Sequence, residues 1–114
     1  MPRRGDIESA RDILEAIKRI EAYTKGWTFQ RFLKNTEKQD AVVRNLEIIG
    51  ESAKNLSADF KRKNPEAGWK AIAGVRDRLI HQYFGINWEV VWKVARERLP
   101  NLKKAVETAL GGSE

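Results

Sequence analysis

Apolar residues recur along this chain at intervals of three and four, which is the signature of amphipathic helices. Ile7, Ala10, Leu14, Ile17 and Glu21 or Ile20 form the first such stripe. They predict a helix from about Asp6 to Lys25, with Asp6 as its N-cap and Gly26 as its stop. Thr28 is placed to cap a short helix carrying Phe29, Phe32 and Leu33, which Asn35 and Thr36 interrupt. A second long helix is expected from about Glu37 to Leu56. Its apolar face is made by Val42 or Val43, Leu46, Ile49, Ala53 and Leu56. Gly50 stands inside that helix, where glycine costs about 1 kcal/mol against alanine. Close approach of another helix is one reason to keep it.

Ser57 reads as the N-cap of a short basic turn anchored by Phe60 and ended by Asn64-Pro65. Trp69, Ile72, Val75, Leu79 and Ile80 predict a third helix, closed by Gly85 near Phe84. Asn87 is the expected N-cap of the last helix, which carries Val90, Val91, Val94, Ala95 and Leu99, then Leu102, Val106 and Leu110. Pro100 falls inside that run. It lacks an N–H and crowds the preceding turn, so it must kink or restart the helix. Gly111 to Glu114 is expected to fray. No segment alternates with period two between turn signals. The reading is all-α: an up-and-down bundle of four main helices plus one or two short ones, a single domain over residues 1–114.

Composition then removes whole classes of chemistry. Cysteine is absent from the 114 residues, so there is no disulfide framework, thiol nucleophile or thiolate metal site. His81 is the sole histidine, which excludes a histidine-rich zinc site within one chain. Pro2, Arg3, Arg4 and Gly5 do not resemble a targeting signal. No apolar run approaches the roughly 18 residues of a membrane span. A cytoplasmic protein with no membrane partner is expected. Lys and Arg number 22 against 16 Asp and Glu, a formal net of +6. That balance permits a nucleic-acid or acidic-protein partner without requiring one.

The segment from Ala73 to Phe84 concentrates the reactive side chains: Arg76, Asp77, Arg78, His81 and Tyr83. Seven residues separate Arg76 from Tyr83, so a helix brings them to nearly one face. His81 follows Arg76 by five residues, about 140° around an ideal helix. Three routes bring the two together: a long arginine reaching across, a local departure from ideal geometry, or two copies of the helix facing each other across a two-fold axis. A cleft of that kind suits RNA phosphodiester cleavage. Histidine transfers protons near neutral pH, and arginine offers fixed donors to the phosphate oxygens as charge builds. With the 2′-hydroxyl as nucleophile, no metal or other cofactor is required. A lone histidine near a helix end is also common as a cap or interfacial residue.

Arg-x4-His-x-Tyr, here Arg76, His81 and Tyr83, resembles the signature of the HEPN superfamily, and more narrowly the HepT-like (DUF86) ribonuclease toxins. The likeness extends over nearly the whole chain. It includes Ile7-Glu8-Ser9-Ala10, the stretch from Arg44 to Lys54, Trp69 to Gly74, and Tyr83 to Asn87. The resemblance implies that Arg76 and His81 are the catalytic pair of a metal-independent endoribonuclease. It implies that Tyr83 is the tyrosine to which a partner nucleotidyltransferase antitoxin of the MNT type adds AMP. It also implies a homodimer, with the two motifs facing across the interface. Asp77 departs from the asparagine common after the arginine in this family. Its carboxylate either moderates activity or holds Arg76 in place.

Several other residues have two readings. Glu51 either orients Arg76 or His81, or is an ordinary solvated or helix-pairing carboxylate. Arg44 and Asn45 either line an RNA cleft or lie elsewhere on the surface. Arg78 and the run Lys61-Arg62-Lys63 either contact phosphates or form solvated charge. Trp27, Trp69, Trp88 and Trp92 are expected to pack in the core or an interface rather than to stack on bases. Alternative functions are a non-enzymatic helical partner and a substrate-binding subunit of a nucleotidyltransferase.

Overall fold

The computed structural model describes residues 4–81 and 86–111, with side chains described for 5–75 and 86–111. Among them all the regular secondary structure is helical. Helix α1 spans Arg4–Thr24, α2 Phe29–Leu33, α3 Thr36–Asn55 and α4 Ala58–Lys63. A 3-10 turn over Pro65–Ala67 leads into α5, Trp69–His81. Helix α6 spans Trp88–Lys93, a π-helical segment covers Val94–Arg98, and α7 covers Leu99–Ala109. Four helices have eleven residues or more and the others are short, which is the expected bundle.

Local side chains set most of the boundaries. The Thr28 hydroxyl accepts from the Arg31 N–H at 3.2 Å and opens α2. Asn35 Oδ1 accepts from the Lys38 N–H at 2.9 Å and opens α3. Ser57 and Asn87 cap α4 and α6 as anticipated, accepting from the N–H groups of Phe60 and Val90. Gly26 follows α1 at φ 75°, a left-handed conformation that glycine adopts without a Cβ clash. The expected closure of α5 at Phe84 and Gly85 lies outside the described residues.

Asp6 is not the N-cap of α1. The helix begins two residues earlier, and the Asp6 carboxylate is buried against the start of α4. Its two oxygens accept from the Ser57 N–H at 2.8 Å and from the Ser57 hydroxyl at 2.7 Å. One carboxylate thus joins the first turn of α1 to the cap of α4. The buried stripe of α1 is also displaced from the expected one. Ala10, Ile13, Ala16, Ile17 and Ile20 are buried, whereas Ile7 and Leu14 lie at its edges.

The long helices pack in the order α5, α3, α1, α7, each mainly against its neighbours. The core between them is built from Ile13, Ile17, Val42, Ile49, Ile72, Val75, Leu99 and Leu102. Helix α2 closes one end, where its buried Phe32 meets the rings of Trp88 and Trp92 at 5.9 and 5.1 Å. Pro100 restarts the last run, one of the two outcomes expected of it. The π-helical turn before it widens the backbone, and Pro100 becomes the second residue of α7, where a missing N–H leaves no intrahelical bond unmade.

Candidate functional site

The segment bearing Arg76 and His81 is α5, and the start of that helix is firmly held. Gly68 turns the chain at φ 69°. The Trp69 indole N–H then donates to the Asn64 carbonyl at 2.9 Å, and its ring packs 6.1 Å from that of Phe60. Ile72 and Val75 are buried toward α3, where Gly50 is also buried and adds no side chain to the contact region. These contacts set the axis along which Arg76, Asp77, Arg78 and His81 follow.

Helix α5 is one unbroken α-helix to His81. A departure from α geometry is therefore not what joins Arg76 to His81. Along this helix they stand about 140° apart and roughly 7.5 Å distant in rise. The side chains of Arg76, Asp77, Arg78 and His81 lie outside the described residues, as does Tyr83 entirely.

Glu51 and Arg44 are on the exposed side of α3. Asn45 is not on the surface as anticipated. It is 5% exposed, its Nδ2 donates to the Ala41 carbonyl at 2.9 Å, and its buried Oδ1 has no partner among the described residues. The basic run on α4 is partly neutralised. Asp59 binds Arg62 at 2.9 Å and Lys63 at 3.2 Å, and those hydrogen bonds, the Arg62 one foremost, hold its carboxyl below the usual range. Lys61 stands half-exposed beside them. No group of three or more histidine and carboxylate side chains suited to a metal occurs among the described residues. No helix among them is long and apolar enough to cross a membrane.

Three of the tryptophans pack against the core as expected. Trp27 does not. It lies in the turn between α1 and α2, with the Arg31 guanidinium carbon 4.1 Å and the Lys38 ammonium 4.4 Å from its ring centroid. Sequence reasoning missed this cluster. The spacing Trp27-x3-Arg31 was a signal for it only once a short helix was placed there.

Residues 13–109, which include all of α5, match the family Ribonuclease HepT-like. The chain belongs to that family. Its relatives include the protein named "Probable ribonuclease HepT" of Thermococcus cleftensis, 49% identical over 96 residues, covering 84% of this chain and 87% of that protein. A Methanocaldococcus jannaschii protein named "Putative RNase" is 46% identical over 107 residues, covering 94% of this chain and 88% of that one. No solved structure matches the chain significantly. Membership in the HepT-like family makes ribonuclease the class of activity to which the chain's geometry is referred. It also agrees with the all-helical bundle observed.

Proposed function

We propose that this HepT-like chain is a metal-independent endoribonuclease, the toxin of a toxin–antitoxin pair, with Arg76 and His81 as its catalytic residues. The observation that carries the reading is the family match across a helix that holds this arginine and the only histidine five residues apart. His81 takes the proton from the RNA 2′-hydroxyl or delivers one to the leaving 5′-oxygen. The 2′-oxygen bonds to phosphorus as the bond to the 5′-oxygen breaks. Arg76 donates to the non-bridging oxygens as negative charge accumulates. DNA lacks the nucleophile and is not cleaved.

In this reading the protein works in the cytoplasm as a homodimer, the second copy bringing together an arginine and a histidine that one straight helix holds about 140° apart. Asp77 and Glu51 act as positioning residues. Arg78, Arg44, Lys61, Arg62 and Lys63 supply phosphate contacts, those of Arg62 and Lys63 weakened by Asp59. A partner nucleotidyltransferase of the MNT type silences the toxin by adding AMP to Tyr83, which fills the cleft with bulk and negative charge.

Cleavage of RNA by the purified protein in excess EDTA tests the mechanism. Activity is expected to fall by about 10²–10⁴ in H81A and comparably in R76A. Equal cleavage by both variants and the unaltered protein overturns the assignment. A tight complex with the nucleotidyltransferase, without cleavage by any form, would favour the non-enzymatic partner instead. Intact mass after incubation with that partner and ATP should show added AMP that Y83F abolishes.

A further inference from the structure

Trp27, Arg31 and Lys38 form a second cationic feature that the catalytic proposal does not use. Both cations stand within 4.4 Å of one indole ring centre, so their charges are separated by on the order of a Debye length, about 8 Å, or less. Two like charges held this close repel each other. The electron-rich indole faces offset that repulsion by cation–π attraction.

Arg31 and Lys38 have no carboxylate partner among the described residues, although Glu37 and Asp40 lie nearby in sequence and are exposed. This contrasts with α4, where Asp59 binds both Arg62 and Lys63. Lys25 and Lys34 add exposed positive charge on either side, so residues 25–40 carry four cations against two carboxylates. Arg31 is exposed, and a guanidinium supported on one side by an aromatic ring leaves its far side and its edge donors to solvent. That combination fits a nucleobase stacked on the guanidinium plane and a phosphate at its edge.

The cluster is also tied to the element that follows the motif. Phe29 and Phe32 of α2, flanking Arg31, pack on Trp92 and Trp88 of α6. Trp88 comes seven residues after His81.

We infer that Trp27, Arg31 and Lys38 form an accessory site for single-stranded RNA, gripping the strand beyond the bond that is cut. The inference rests on the ribonuclease reading. An acidic protein segment would satisfy the charges, but it would leave the exposed guanidinium face without a stacking partner.

Binding of a 2′-O-methylated RNA of about 20 nucleotides, followed by fluorescence anisotropy across a salt series, tests this without relying on cleavage. The double variant R31Q/K38Q is compared with R11Q/K18Q, which removes the same charge from exposed positions on α1. Far-ultraviolet circular dichroism checks that both are folded. R31Q/K38Q is expected to bind about tenfold more weakly. The slope of log affinity against log salt should be shallower by roughly 1.4, as two lost phosphate contacts on a single strand require. R11Q/K18Q should retain most of its affinity.

Equal affinity and slope in R31Q/K38Q and the unaltered protein overturn the accessory site while leaving the cleavage reading intact. Equal losses in both double variants overturn it too, by reducing the effect to net charge. RNA binding preserved in R31Q/K38Q, with polyglutamate binding lost, would reassign the cluster to an acidic protein partner. Failure of the unaltered protein both to bind and to cleave RNA would defeat the two readings together.

Discussion

Asp6 shows how one side chain can be misread from its neighbours in sequence. An acidic residue ahead of an amphipathic stripe reads as a cap, but its partner lies 51 residues away at Ser57. Removing the carboxylate leaves the Ser57 N–H without its acceptor in a partly buried setting. Asp6→Ala should therefore cost about 2 kcal/mol in urea unfolding, and Asp6→Asn, which keeps one acceptor oxygen, should cost less. Asp59 offers a pH test. Its folded pKa is depressed by Arg62 and Lys63, so the pairing favours the fold above the ordinary carboxylate pKa and is lost as pH falls through the depressed value. Carboxyl NMR should find Asp59 titrating below the usual carboxylate range, and R62Q/K63Q should move it upward. The caps at Thr28, Ser57 and Asn87 were legible because their partners stand only three residues on. The cations on Trp27 were hidden, since Lys38 reaches that ring only after two helices are in place.

At the scale of elements, the punctuation of the chain was more readable than its form. Pro100 announced an interruption, and the interruption is there. That the restart runs through a widened turn over Val94–Arg98 is not something the local pattern records. The entry to α5 is as sharply set. Gly68 is in the left-handed region, and a Cβ there would stand 3.2 Å from the Arg98 guanidinium. Gly68→Ala should lower stability by about 1–2 kcal/mol, seen as a reduced urea midpoint with unchanged m-value. The same change should reduce RNA cleavage by tilting α5, on which Arg76 and His81 are carried. Intact cleavage in a destabilised Gly68→Ala protein would show that the axis of α5 tolerates this displacement.

The whole molecule measures 44 × 30 × 19 Å. Its thinnest dimension is about two helix diameters, so the core is shallow and one broad face is never far from any residue. Fold class was legible because four long amphipathic stripes leave few alternatives. The candidate site was legible only as a motif, since residue spacing says which groups share a helix but not what that helix faces. The proposed dimer should have a mass near twice 13.1 kDa by light scattering. If R76A and H81A each lose activity as proposed, mixing them separates the two routes that the unbroken α5 leaves open. If each cleft takes its arginine and histidine from different copies, re-assorted mixed dimers hold one intact cleft, and activity should return to about a quarter of normal. If both come from one copy, mixing restores nothing. The link between Asp6 and Ser57 also sets a clock on the making of this protein. At about 5–20 residues per second, the step of 51 residues from Asp6 to Ser57 takes roughly 3–10 s to synthesise. Until Ser57 is added the Asp6 carboxylate has no partner, and α3, on which the apolar stripe of α1 closes, is complete only just before it.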